Sequence, residues 1–123
     1  MSIALWCVLI AGLLPYLATV IAKAGAPFDN HDPRAWLAQQ QGYRRRANAA
    51  SMNAFEALPL FAAAVLIEQL LRGPQTNANL LAIGFISARL AHLACYLADL
   101  ATLRSIAWCV GLLCVIGLFV VSA

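Results

Sequence analysis

The chain has 123 residues, 63% of them hydrophobic and 11% charged, with a formal net charge of +3. A water-soluble domain of this size needs a far more polar surface than that. The composition excludes a soluble globular domain, and the solvent it implies is lipid.

In chain order, the first element is Ala4 to Ala22, 19 residues without a charge and about long enough to cross a bilayer. The AKAGA stretch that follows has small residues at the spacing of a signal-cleavage site. No Lys or Arg precedes the run, however, and it is longer than a signal core, so it reads as a retained span. Residues 23–46 form a polar connection holding Lys23, Arg34, Arg44, Arg45 and Arg46. Within it, Asp32-Pro33 reads as a helix N-cap followed by proline at the first helical position. The second membrane helix is therefore expected to start ahead of the bilayer near Pro33, with Gly42 its weak point. The second span, Ala47 to Leu71, is interrupted by Glu56 and Glu68. Gly73-Pro74-Gln75-Thr76-Asn77 is a short turn that makes the second and third spans antiparallel neighbours. The third span, Ala78 to Ala98, carries Arg89. A brief connection, Asp99 to Arg104, leads to Ser105–Ser122, 18 residues without a charge.

Barrel-type alternation of polar and apolar residues is absent, and backbone groups in lipid must be satisfied internally, so the spans are helices. The expected fold is all-α: one integral membrane four-helix bundle, residues 1–123, with spans at about 4–22, 47–71, 78–98 and 105–122. An even number of spans puts both termini on one side. The first and third connections hold six basic residues (Lys23, Arg34, Arg44, Arg45, Arg46 and Arg104), and the opposite side holds only Arg72. Basic residues favour the cytoplasmic face, which makes those connections cytoplasmic and, in a bacterial inner membrane, both termini periplasmic. Trp36 and Trp108 on one side and Trp6 on the other suit interfacial anchoring.

The four cysteines, Cys7, Cys95, Cys109 and Cys114, all fall inside spans, without metal-ligand spacing or a secreted disulfide pattern. They read as small packing residues, and no metal is expected. No phosphate loop or nucleic-acid motif is present.

The polar residues inside the spans carry the chemistry. Arg46, Asn53 and Glu56 are spaced i, i+7, i+10 and share one helix face, as do Arg89, His92 and Tyr96 at i, i+3, i+7. Glu56 and Arg89 each lie ten residues from the cytoplasmic end of their helix, roughly 15 Å deep at 1.5 Å per residue. Matching depth predicts a Glu56–Arg89 ion pair. Glu68 and Arg72 read as an i, i+4 pair at the outer helix end. Two interpretations stand side by side. The ion pair and the Asn and His side chains lock helices together, with Tyr96 and the arginines as interfacial flank. Alternatively, the whole set lines a polar cleft, open to the cytoplasm, for a small anionic molecule beside an apolar lipid compartment.

The pattern R-x6-N-x2-E-x2-P, here Arg46, Asn53, Glu56 and Pro59, resembles the second-helix signature of the MAPEG superfamily, membrane-associated proteins of eicosanoid and glutathione metabolism. The third-helix pattern Arg89-x2-His92-x3-Tyr96 is also similar, and CYLADLATLRS looks most like the short bacterial members. The resemblance implies a homotrimer with glutathione as co-substrate held between subunits near the cytoplasmic face. By position, Arg46, Asn53, Glu56, Arg89, His92 and Tyr96 would line or support the glutathione site. Arg104, followed by Ser105, would stabilise the thiolate, and Lys23 would reach a glutathione carboxylate. Many members carry a second arginine four positions before the asparagine, where this chain has Ala49.

Two functions follow from the resemblance. One is a glutathione-dependent transferase or peroxidase acting on a lipophilic electrophile or lipid hydroperoxide that arrives from the membrane lipids. The other is a non-catalytic scaffold, lipid binder or accessory subunit of a larger membrane complex, a choice that fold alone does not make.

Overall fold

A computed structural model describes all residues, 1–123. The chain forms five helices: α1 (Ile3–Lys23), α2 (Pro33–Ala38), α3 (Gly42–Arg72), α4 (Thr76–Leu97) and α5 (Ala101–Ser122). All but the six-residue α2 are long and apolar enough to cross a membrane. The protein is an all-α integral membrane bundle of four spanning helices. α1 packs chiefly on α3 and α4 on α5, and the two pairs close into one bundle through α1–α4, α3–α5 and α3–α4 contacts.

The packing stripes follow from the sequence. On α1 the buried positions are Ala4, Cys7, Ala11, Pro15, Ala18 and Ala22, spaced by three and four. On α5 they are Ala107, Gly111, Val115, Leu118 and Ser122. Nearly all are small. Between helices in lipid, association rests on close van der Waals contact rather than on water expulsion, so small side chains that let backbones approach are favoured. Gly117 shows how close this is: a Cβ there would come within 3.0 Å of Leu81 Cδ2. The bulk of the core is supplied by Phe61 and Phe85, whose rings stack at 3.9 Å and 11° between α3 and α4. The large side chains Leu13, Val20, Leu70, Leu80, Leu113 and Val120 point outward, as a lipid-facing surface requires.

Cross-links at the two ends fix the topology. At one end, here the loop end, Arg44 donates from Nη1 to the carbonyls of Ala22 (3.0 Å) and Ala24 (2.7 Å), capping the last turn of α1. At the same end Arg46 Nη2 donates to the Leu97 carbonyl of α4 at 3.1 Å. At the terminal end, Asn79 Oδ1 accepts from the Ala4 N–H, and Arg72 Nε donates to the Ser122 carbonyl. Both termini therefore lie at one end. In mid-bundle, Ser51 Oγ donates to the Pro15 carbonyl at 2.8 Å and lies 2.8 Å from Thr19 Oγ1, which clips α3 to the proline turn of α1.

Three local expectations need correction or refinement. Asp32 does cap a helix with Pro33 at its start, accepting from the Ala35 N–H. That helix stops at Ala38 rather than running on, and α3 begins anew at Gly42, whose φ of +62 suits glycine. At 31 residues α3 is about 46 Å long at 1.5 Å per residue, more than a bilayer core needs, and its start carries Arg44–Arg46 at the loop end, against the ends of α1 and α4. Finally, the Glu68–Arg72 pair does not form. Glu68 is fully buried, bonded through Oε2 to Gln69 Nε2 with Oε1 unpartnered, while the exposed Arg72 turns to Ser122.

Candidate functional site

A cleft of about 270 Å³ opens between α3, α4 and α5. Three helical stripes build it. Asn53, Glu56, Ala57 and Leu60 recur at i, i+3, i+4, i+7 on α3, and Phe85 and Arg89 stand one turn apart on α4. Trp108, Gly111, Leu112 and Val115 follow the same rule on α5. The sequence pattern thus brings Asn53, Glu56 and Arg89 to one apolar-walled space within the membrane-spanning part of the bundle.

The expected Glu56–Arg89 ion pair is absent. Arg89, 5% exposed, donates from Nη2 to Asn53 Oδ1 at 2.8 Å, and the exposed Glu56 carboxylate pairs with neither. The reason is one of register. Glu56 and Arg89 lie equally far along their helices, but the side chain that meets Arg89 across the α3–α4 contact is Asn53, one turn before Glu56. The helix lock is therefore an amide–guanidinium hydrogen bond, and the carboxylate is left facing the cleft.

The same stripes continue toward the loop end. On α4, buried His92 meets Tyr96 edge-on, with centroids 5.5 Å apart at 77°. Across the joint to α5, the Arg104 guanidinium lies 4.4 Å above the Tyr96 ring. A tight connection fixes this meeting: the Leu100 N–H reaches back to the Cys95 carbonyl at 2.9 Å, and Asp99 adopts φ +59. Aspartate tolerates that left-handed conformation better than most residues. Arg46 stands two turns before Asn53 and spends one N–H group on Leu97, leaving its buried Nε without a partner. His92 and Arg89 also border a water-sized void between α1, α3 and α4.

Two candidates stay apart from this cluster. The Lys23 ammonium sits 4.3 Å over the Phe28 ring, whose edge meets Trp36, so it belongs to a folded first loop. Ser105 is exposed and, like Arg46, His92, Tyr96 and Arg104, does not line the cleft itself. Conversely, Trp108, expected as an interfacial anchor, forms a wall of the cleft. The signal was available in its spacing of four from Arg104 and three from Gly111.

Fold and cleft together define a membrane protein of four spanning helices with ionisable side chains held at a mostly apolar recess. The MAPEG family model matches residues 3–123, and the chain belongs to that family. No match was found among curated proteins or solved structures.

Proposed function

We propose that this protein is a glutathione-dependent transferase or peroxidase whose acceptor is a lipophilic electrophile or hydroperoxide drawn from the surrounding lipid. The observation that carries this reading is the unpaired Glu56 carboxylate. A charge so far along a membrane helix is costly unless it is partnered or meets a polar cavity. If Glu56 served only to lock helices it would take Arg89, yet Asn53 holds that guanidinium instead. Glu56 is left as an acceptor in a space whose other walls are mostly apolar.

The donor set fits a small zwitterionic tripeptide. Glu56 suits an ammonium group, while the guanidinium groups of Arg46 and Arg104 suit carboxylate or thiolate groups. When bound, the co-substrate supplies a sulfur nucleophile. Arg104 favours ionisation of that thiol by placing a fixed positive charge beside it. Arg46, Asn53, Glu56 and Arg89 hold and orient the peptide, His92 and Tyr96 support the site without touching it, and Trp108, Leu112 and Val115 offer the apolar acceptor a route from the bilayer. Lys23 and Ser105 would take part through a neighbouring subunit or after local rearrangement. We place the first loop and the α4–α5 joint in the cytoplasm of a bacterial cell, on the strength of the basic residues gathered there. A homotrimer, as the family resemblance implies, would cover the open side of the cleft.

The non-catalytic reading draws on one observation. Ala49 stands on the stripe between Arg46 and Asn53, so one cation of the family pattern is missing from the rim. Ultraviolet absorbance of glutathione bound to the detergent-purified protein separates the two readings. The enzyme shows a thiolate band near neutral pH that disappears in Arg104→Ala. A protein that fails to bind millimolar glutathione is the scaffold.

A further inference from the structure

Arg104 differs from the other arginines that are not fully exposed. Arg44, Arg46 and Arg89 each give at least one N–H to a protein oxygen. Arg104 gives none and is held by an aromatic face alone, 4.4 Å above Tyr96. Tyr96 in turn is braced edge-on by His92, which is itself buried. The result is a three-member stack, His92–Tyr96–Arg104, edge-to-face and then cation over ring, running from the bundle interior toward the loop end.

A flexible arginine that must act on an anion faces two competing demands. It has to be held still, and its N–H groups have to stay unspent. A protein carbonyl or carboxylate would meet the first demand and defeat the second. An aromatic face meets both, because the attraction runs through the ring quadrupole and leaves the N–H edge free.

We propose that Tyr96 is a positioning residue: its ring face, braced by His92, fixes the Arg104 guanidinium one turn of α5 before the cleft-wall residue Trp108, with its hydrogen-bond donors available to an anion. This rests on the glutathione reading for the identity of the anion, which is the co-substrate thiolate. The ring is the active feature and the phenolic hydroxyl is dispensable. The short joint at Ala98–Leu100 belongs to the same device, since it sets the register between Tyr96 on α4 and Arg104 on α5.

The test uses the full-length protein in detergent, with wild type, Tyr96→Phe, Tyr96→Leu, Arg104→Ala and the Tyr96→Leu/Arg104→Ala double variant. The first readout needs no glutathione. NMR of the arginine side chains, with Arg104 assigned from its variant, should show ring-current-shifted Arg104 protons in wild type and Tyr96→Phe but not in Tyr96→Leu. The second is the ultraviolet titration of the bound glutathione thiol. Tyr96→Phe should match wild type, and Tyr96→Leu should raise the thiol pKa by about one unit, a roughly tenfold shift of the thiol ionisation equilibrium. The double variant should be no worse than Arg104→Ala, because both substitutions remove the same interaction.

Unshifted Arg104 protons in wild type overturn the stack itself. A stack that disappears in Tyr96→Leu while the thiol titrates as in wild type overturns the positioning role alone. Equal damage from Tyr96→Phe and Tyr96→Leu assigns the effect to the hydroxyl and overturns the proposal. A wild-type protein that shows the stack yet leaves glutathione unbound, or its thiol unshifted, overturns the positioning role together with the glutathione reading.

Discussion

The order of importance among Asn53, Glu56 and Arg89 is open to direct measurement. Arg89 is nearly enclosed, and its hydrogen bond inside the chain goes to Asn53 Oδ1 at 2.8 Å. Asn53→Leu keeps the branched shape and heavy-atom count of the side chain and removes the acceptor. A hydrogen bond to a charged group contributes about 1.5–3 kcal/mol in proteins, and couplings inside membrane bundles reach somewhat less than 2. The expected loss is therefore about 2 kcal/mol, a roughly thirtyfold shift of the unfolding equilibrium. Glu56→Gln touches an exposed group with no partner in the chain and should change stability by less than about 0.5 kcal/mol. Asn53→Leu combined with Arg89→Met should recover part of the loss, since removing both polar partners strands neither. Reversible denaturation of the ligand-free protein in mixed micelles measures all three variants against wild type. If Glu56→Gln proves as destabilising as Asn53→Leu, the pairing scheme is refuted and the carboxylate is structural.

Other substitutions probe the frame that holds the cleft. Phe61→Ala removes half of the buried Phe61–Phe85 stack and should cost about 3–5 kcal/mol in the same assay, more than any of the polar changes. Glu68→Gln should raise stability by about 1 kcal/mol, because the fully buried carboxylate has one oxygen without a partner. At the α4–α5 joint, Asp99→Gly should be neutral or mildly stabilising. Asp99→Val should destabilise by about 1–2 kcal/mol, since a β-branched residue is disfavoured at φ +59.

The fold was the most legible part of the chain. Runs such as Ala4–Ala22 and Ser105–Ser122 offer no alternative to a membrane helix, and the spacing of Asn53, Glu56 and Arg89 was enough to bring them to one cleft. What depth counting missed was azimuth. Two groups at equal depth on neighbouring helices meet only if both point across the same contact, and that depends on helix rotation set by packing elsewhere, here by Ala47, Ala50 and Phe61 on α3. The cation–π contact of Arg104 was hidden for a similar reason. Eight residues separate it from Tyr96, and whether they meet depends on a three-residue joint containing a left-handed aspartate. Lys23 was read for its charge alone, but the aromatic pair Phe28 and Trp36 folds the first loop and engages it.

Equilibrium dialysis of labelled glutathione against folded wild-type protein and Glu56→Gln probes the unpaired carboxylate most directly. Wild type should bind at millimolar concentration or below, and Glu56→Gln, equally stable, should bind at least tenfold more weakly, the loss of about one charge-assisted hydrogen bond. Indistinguishable binding by the two proteins would show that Glu56 does not face the ligand and that the cleft has been assigned to the wrong chemistry.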